Sequence, residues 1–119
     1  MKGLQLAAIA EALSLSPDHG SFKDIEVKGG YSSDLLSDVM GKAAAKSIWV
    51  TNQIHPNVIA VASLIDAAAV IIAGGVQPEE GTLKKAEEVG IPLFTTDLPA
   101  FEVVGQLYQL GVRGTVRSA

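Results

Sequence analysis

Cysteine is absent from this chain of 119 residues. That absence excludes disulfides, thiol nucleophiles and every zinc or iron–sulfur centre that depends on cysteine ligands. Aromatic residues make up only 5% of the chain, and 9 Lys and Arg face 13 Asp and Glu, for a net charge of −4. Nucleic-acid binding requires a basic face, and single strands also require stacking rings. We therefore expect no nucleic-acid partner.

Long hydrophobic stretches are also missing. The longest apolar run, residues 67–73, is far shorter than the roughly 20 residues that a membrane-spanning helix needs. The first residues do not form the long apolar core of a signal peptide. We therefore expect a cytoplasmic protein with no membrane partner.

The motifs of common nucleotide-binding and hydrolytic sites do not occur. The chain contains neither GxxxxGK[ST] nor GxSxG nor GxGxxG. Its two histidines, His19 and His55, lack the paired spacing of metal ligands. Asp34 and Asp38 are four residues apart on a predicted helix, where such carboxylates are usually solvated rather than an acid–base pair. We expect no enzyme activity, no metal and no cofactor.

Aliphatic residues are abundant instead, and they are patterned. Hydrophobic residues make up 48% of the chain, enough for one core, so we expect a single domain over residues 1–119 with a short, mobile polar tail at 112–119. Residues 3–14 repeat apolar side chains at helical spacing and predict an amphipathic helix. Residues 23–28 alternate apolar and charged side chains and predict a strand, which two following glycines should end. A helix is predicted next, over residues 32–46.

Three strand–helix units follow from residue 47. Short apolar runs alternate with helical patterns, and the connections between them are short. This alternation predicts parallel strands joined by right-handed crossovers. The fold class is therefore α/β, a compact domain with a mostly parallel sheet and helices packed on it. The predicted strands are 47–51, 68–73 and 91–95, and the predicted helices are 57–66, 78–89 and 98–110.

Polar or small residues follow each of these three strands. Ligands of open parallel sheets bind outside the carboxyl ends of the strands. A helix begins after each end, and its free N–H groups and dipole favour an anion. The candidate ligand-binding residues are Thr51, Asn52, Gln53, His55, Asn57, Gly74, Gly75, Thr95 and Thr96.

Each candidate also has a purely structural interpretation. Thr95, Thr96 and Asp97 have the residue types of helix N-caps. The two glycines at 74–75 could form a simple turn that needs no ligand. His55, before a proline, could cap a helix, bind an anion or titrate near neutrality. The density of polar side chains in VTNQIHPN exceeds what one cap requires, which favours a functional role.

The order of elements resembles that of the DRTGG domain family. The resemblance is carried by GGYSSDLLSDVM, TNQIHPNVIAVASLIDAAAVIIAGG and GIPLFTTDLPAFEVVGQLYQLG, and it covers about residues 3–111. It is greatest with small stand-alone members, some found near iron hydrogenase genes or labelled as HPr serine kinase relatives. Larger members are fused to phosphotransacetylase or lie between CBS domains of regulated pyrophosphatases. The resemblance implies a compact α/β domain related to the N-terminal domain of HPr kinase, regulatory or ligand-sensing, and commonly paired with a second copy.

The family motif is only partly present. Its TGG corresponds to Ala73, Gly74 and Gly75, so both glycines match and the threonine is missing. Its Asp-Arg pair falls near Ile54 and His55, and neither matches. An arginine holds phosphate in a planar fork that histidine does not provide.

Three hypotheses remain open. The first is a non-catalytic regulatory or ligand-sensing domain, homodimeric, with a small anionic, nucleotide-like ligand at the strand ends. Its alternative is a pure protein–protein interaction module for a metabolic enzyme or a hydrogenase-related system, which the apolar helix at 57–66 supports. The third is a small enzyme using His55. The N-terminal helix and the helix that carries Phe101 and Tyr108 are both candidates for the dimer face.

Overall fold

The computed structural model describes residues 4–18 and 22–117. His19 and the last two residues of the predicted tail lie outside these ranges. The elements, in chain order, are β1 (Leu4–Gln5), α1 (Leu6–Ala12), β2 (Glu26–Val27), β3 (Gly29–Ser32), α2 (Leu36–Lys42), β4 (Ser47–Thr51), α3 (Asn57–Leu64), β5 (Ala69–Ile72), α4 (Glu80–Val89), β6 (Leu93–Thr95) and α5 (Ala100–Leu110).

The main sheet has four strands in the order β3-β4-β5-β6, all parallel. Trp49 of β4 is in register with Val70 of β5, and Val70 with Leu93 of β6. Each strand in chain order is therefore the neighbour of the next, as short right-handed crossovers require. The predicted α/β class with a parallel sheet and helices packed on it is confirmed.

Helices cover both faces of this sheet. Val39 of α2, Ile59 of α3 and Ala86 of α4 pack in one buried cluster. Ile9 of α1 and Val103 of α5 pack in a second cluster, on the other face. Strand β5 is buried on both sides, which explains why its sequence is a continuous apolar run rather than an alternating one. Within the described residues, no helix is long and apolar enough to cross a membrane.

The glycine pair at 29–30 does not end a strand, as the sequence predicted, but begins β3. Glycine is needed there because a second segment lies against the strand: a Cβ at Gly29 would collide with the side chain of Thr115, and one at Gly30 would lie 3.2 Å from Val112 Cγ1. Gly30 N donates to Arg113 O at 3.0 Å, so this strand edge is covered. Glycine here indicates close backbone approach rather than a break.

The same contacts change the interpretation of the C-terminal segment. Residues 112–117, predicted as a free tail, run beside β3 and α2, with bridges from Gly114 to Gly30 and from Val116 to Ala43. Val112 is buried in the core. The segment therefore belongs to the folded unit, because it satisfies the outer hydrogen-bonding edge of the sheet.

Several predicted helices begin later or are shorter. The first two described residues form β1, paired antiparallel with β2, rather than the first turn of a helix. Helix α2 spans Leu36–Lys42 instead of residues 32–46, so the prediction that Asp34 and Asp38 share a helix face is wrong. Asp34 lies in the preceding loop, where its side chain bonds the next loop. The helices and strands after residue 47 match their predicted positions to within two residues at each end.

A candidate ligand site at the carboxyl edge of the sheet

Asp34 organises the polar loops that follow β3 and β4. Its Oδ1 accepts hydrogen bonds from Thr51 Oγ1 and from Asn52 N, both at 2.8 Å. The side-chain amide of Asn52 is oriented with its nitrogen toward Asp34, because acceptors lie on that side. This nitrogen donates to Asp34 Oδ1 at 3.0 Å and to Oδ2 at 3.1 Å. Gln53 Nε2 donates to Asp34 O at 3.0 Å, and Gln53 N to Thr51 Oγ1 at 3.2 Å. Three predicted site residues are thus engaged with one carboxylate residue that sequence reasoning placed on a helix.

His55 caps helix α3. Its Nδ1 accepts a hydrogen bond from Asn57 N at 3.1 Å. Val58 N donates to His55 O at 2.9 Å, so the first amides of the helix are satisfied locally. Of the roles considered for this histidine, capping is the one that the geometry displays. His55 Nδ1 and the backbone N–H of Asn57 are therefore paired with each other at this helix start.

Gly74 and Gly75 form the turn after β5. Both have left-handed backbone angles, with φ of +87° and +74°, which other residues adopt with strain. Their amides already have acceptors: Gly74 N donates to Leu98 O at 2.8 Å, and Gly75 N to Thr96 O at 3.0 Å. The two amides therefore bind backbone carbonyls of the loop that follows β6.

This pair of loops lies at a change of direction in the topology. After β5 the chain enters α4, whose Ala86 packs on one face of the sheet; after β6 it enters α5, whose Val103 packs on the other face. Adjacent parallel strands whose connections leave on opposite faces form a crevice outside their carboxyl ends. A cleft of about 420 Å³ occupies that position. Its lining residues are Leu13, Ser14, Gly75, Val76, Gln77, Thr95, Thr96, Asp97 and Leu98.

The structure therefore divides the predicted site. Gly75, Thr95 and Thr96 share the cleft. The candidates that follow β4 are bound into the Asp34 and His55 arrangements described above. Thr95 Oγ1 donates to Asp18 Oδ1 at 3.2 Å, and Thr96 Oγ1 accepts from Leu98 N at 3.2 Å, which leaves the Thr96 hydroxyl proton available to an acceptor in the cleft.

Sequence reasoning missed four residues of this region. Ser14 and Gln77 carried no signal in the sequence. Ser14 follows the end of α1, far along the chain from the strands that form the cleft, and Gln77 lies in a loop. Asp97 was identified only as a helix cap, yet the N-cap position of α5 is Pro99 and Asp97 is exposed beside the cleft. Asp34 was assigned to a helix surface. An aspartate just after a strand, close in space to Thr-Asn-Gln after the next strand, was the available signal.

A separate hydrogen bond joins β3 to α2, beside an ion pair within α2. Tyr31 Oη donates to Asp38 Oδ2 at 2.7 Å, and Lys42 Nζ lies 3.3 Å from Asp38 Oδ1. The hydrogen bond from Tyr31 is the main cause that holds the pKa of Asp38 below its usual range. The same bond to a carboxylate raises the pKa of Tyr31. Among the described residues, no group of three or more His, Asp or Glu side chains is placed to hold a metal ion.

Comparison with known proteins identifies a fold relative but no sequence family. No family model matches the chain, and no curated protein matches it. The structure is similar to that of the CBS and DRTGG domains of the regulatory region of Clostridium perfringens pyrophosphatase, solved in complex with its activator, diadenosine tetraphosphate. The TM-score is 0.68 at 16% sequence identity, over 87% of this chain and 46% of that one. The chain thus spans about half the length of that relative, and the likeness supports a DRTGG-related fold.

Proposed function

We propose that this chain is a non-catalytic regulatory domain that binds a small nucleotide-like ligand in the cleft between the loops after β5 and β6. The observation that carries the proposal is the opposite departure of α4 and α5, which opens a crevice of about 420 Å³. That volume lies in the range of small-molecule sites. The cleft collects three of the residues predicted from sequence, Gly75, Thr95 and Thr96.

The chemistry of the lining selects the kind of nucleotide. The polar groups are the hydroxyls of Ser14, Thr95 and Thr96, the amide of Gln77 and the carboxylate of Asp97. A carboxylate in this position of an α/β fold accepts hydrogen bonds from ribose hydroxyls. None of the described residues that line the cleft is Lys, Arg or His, so no side chain there neutralises a chain of phosphates. A ligand with a ribose and a single phosphate fits this lining better than a polyphosphate.

The fold relative supports a regulatory role of this kind, because it is a regulatory region bound to a nucleotide activator. The remaining candidates from the sequence are proposed to shape the loops around the ligand rather than to contact its phosphate. They are Thr51, Asn52, Gln53, His55, Asn57 and Gly74.

Calorimetric titration with adenosine, AMP, ADP, ATP, diadenosine tetraphosphate, GMP and phosphate tests the proposal. We expect saturable binding of one nucleoside monophosphate, with no gain in affinity as phosphates are added. Asp97→Asn and Gln77→Ala should each weaken binding about tenfold, the loss of one or two hydrogen bonds to the ligand. Gln109→Ala, on the exposed surface of α5, is the matched control and should bind like the wild type.

Two results would overturn this assignment. One is a flat response to the whole panel. The other is binding that survives the Asp97 and Gln77 changes but disappears with Asn52→Ala, which would place the ligand over the Asp34 loops. A ligand that binds the folded state alone also raises the melting temperature with concentration, so thermal shift provides an independent readout.

The second candidate function is a protein–protein interaction module without a small ligand, acting on a metabolic enzyme. The specific observation in its favour is how fully the predicted polar edge is satisfied internally, through Asp34, His55 and the amides of Gly74 and Gly75. A flat titration panel combined with capture of a defined enzyme partner would select this function.

A further inference from the structure

A small pocket separates helix α5 from the outer strand of the main sheet. It has a volume of about 150 Å³ and is lined by β3, β4, α5 and the segment that follows α5. Strand β3 is at the opposite edge of the sheet from β6, and no residue lines both this pocket and the cleft beyond β5 and β6. The pocket is therefore separate from the proposed nucleotide site.

The pocket exists because β3 has little side-chain volume on the face that α5 covers. Gly30 is in register with Ile48, and Ser32 with Val50. Ile48 and Val50 pack in the same buried cluster as Leu107 of α5. Residues two apart on a strand share a face, and neighbours in register lie on the same face of a sheet. Gly30 and Ser32 thus lie under α5 and leave space there.

The interior of the pocket is apolar. Its walls include Val50, Leu107 and Val112, which are buried in the core. Val104 and Tyr108, which are partly exposed, stand at its mouth. A cavity of about this volume lined by aliphatic side chains accepts a benzene ring. The same volume is well below that of the sites that hold larger small molecules, so a nucleotide does not fit.

Arg113 is the one charged residue in the described lining of the pocket, and it is fixed in position. Its Nη1 donates to Tyr108 O at 2.8 Å and to Val112 O at 3.3 Å, and its guanidinium lies 3.7 Å from the centre of the Tyr108 ring. Its Nε and Nη2 have no partner among the described residues. A guanidinium binds a carboxylate through two parallel N–H groups, and a side chain that is already ordered loses less entropy when it binds.

We propose that this pocket is a second ligand site, which binds a small carboxylic acid with a single aromatic ring. The ring lies among Val50, Leu107 and Val112, and the carboxylate pairs with Arg113 at the mouth. The apolar walls and the lone cation together select this chemistry, because the first hold a ring without unsatisfied polar groups and the second compensates one negative charge. The proposal does not depend on a nucleotide in the cleft.

Benzoate is the probe, and two relatives of it separate the contributions of ring and charge. A ligand this small should bind with a dissociation constant on the order of 0.1–1 mM, which an NMR titration to about 20 mM covers. Benzamide keeps the ring and the shape but not the charge, so it should bind about tenfold more weakly or worse. Acetate keeps the charge without the ring and should show no saturable binding.

Two pairs of variants test the assignment. Arg113→Gln should weaken benzoate binding about tenfold and leave benzamide binding unchanged. Its control is Lys84→Gln, the same change of charge on the exposed surface of α4, which should alter neither.

Val104→Phe places a bulky ring at the mouth and should weaken both benzoate and benzamide. Its control is Val89→Phe, at a valine of α4 that is also partly exposed, and it should weaken neither. Circular dichroism confirms that each variant is folded. The comparison of benzoate with benzamide needs only the wild type, so it decides the role of charge even if Arg113→Gln does not fold.

Nuclear Overhauser contacts locate the ring. We expect contacts from benzoate protons to the methyl groups of Val50, Leu107 and Val112, unchanged by saturating AMP because pocket and cleft share no lining residue. Contacts to Leu13 or Leu98 would place the ring in the cleft and overturn the inference. So would no saturable binding by about 20 mM, benzamide binding as tight as that of benzoate, or benzoate binding that Arg113→Gln leaves intact. Nucleotide binding without benzoate binding refutes the second site alone, and the reverse refutes the cleft alone.

Discussion

Asp34→Ala tests whether the polar edge is structural. The substitution removes the acceptor of Thr51 Oγ1 and Asn52 N, each at 2.8 Å from Asp34 Oδ1. Thr51 is 1% exposed, so its hydroxyl cannot turn to bulk water for a replacement. Asn52 is exposed, and water can replace part of what its groups lose. The two losses are therefore unequal.

The magnitude follows from this difference. A hydrogen bond to a charged group contributes about 1.5–3 kcal/mol when shielded, and less for an exposed carboxylate such as Asp34. We assign about 1.5 kcal/mol to the bond from buried Thr51 and about 0.5 kcal/mol to those from Asn52. The sum, about 2 kcal/mol, corresponds to a fall in melting temperature of about 8 °C for a domain of this size. Asp34→Asn keeps one acceptor oxygen and should lose about half as much.

Urea unfolding monitored by tryptophan fluorescence suits this measurement. The chain has one tryptophan, and Trp49 is fully buried with Nε1 bonded to Ser33 O at 2.9 Å, next to the loop in question. Glu88→Ala, on the exposed surface of α4, is the control and should stay within about 0.5 kcal/mol of the wild type.

A double-mutant cycle adds the sharper test. Thr51→Val removes the hydroxyl that Asp34 accepts from, so the effects of Asp34→Ala and Thr51→Val should fall short of adding by about 1 kcal/mol. Strict additivity, or an Asp34→Ala variant as stable as the Glu88→Ala control, would show that the carboxylate does not hold these loops together.

Three further outcomes are expected. Ser14→Gly should raise the free energy of unfolding by about 0.5–1 kcal/mol, because Ser14 follows α1 with a left-handed φ of 55°. Gly90→Ala, at φ +76°, should lower the free energy of unfolding by about 1 kcal/mol. Urea unfolding measures both changes, and the comparison requires that the variants unfold with equal slopes. His55→Ala should lower stability by about 1 kcal/mol through loss of the α3 cap, without changing ligand affinity; an unchanged melting temperature would contradict that role. The stability advantage of the wild type over Tyr31→Phe should be constant near neutral pH, because the Tyr31–Asp38 bond needs a neutral phenol and a charged carboxylate. This advantage should decline below about pH 4, where Asp38 becomes protonated even though its pKa is lowered. It should also decline above about pH 10, where Tyr31 ionises even though its pKa is raised. A stability difference that does not depend on pH would exclude the Tyr31–Asp38 bond as the source of the advantage.

The sequence predicted the elements whose apolar patterns are strong. Strand β5, a run of aliphatic residues between turns, and helix α4, with its glycine stop at Gly90, were found close to their true limits. It failed where a short element depends on a distant segment. Strand β3 carries two glycines and has no local β pattern; it is held by its pairing with β4 on one side and by residues 112–116 on the other, and neither contact is visible in its own sequence.

The exposed and buried faces of α5 show a related limit. Phe101, Val104 and Tyr108 share one face, as their spacing predicts, but the core uses Val103 and Leu107 instead. Periodicity identifies two apolar faces on this helix and cannot rank them. The ranking comes from the sheet, since Val103 packs with Ile71 and Phe94 on its surface. The face left over, with Phe101, Val104 and Tyr108, is exposed to solvent.

Polar residues at strand ends raise the same problem for function. Thr51, Asn52 and Gln53 have the side chains that a ligand site requires, and also those that a loop requires to satisfy its own backbone. The difference lies in whether an acceptor such as Asp34 stands within hydrogen-bonding distance, and Asp34 belongs to another loop, 17 residues from Thr51 along the chain. The cleft between β5 and β6 arises in the opposite way, because two loops leave on different faces and their side chains do not saturate one another. Local composition therefore locates the edge of the sheet, and only the direction of the connections indicates which part of that edge forms an open cleft.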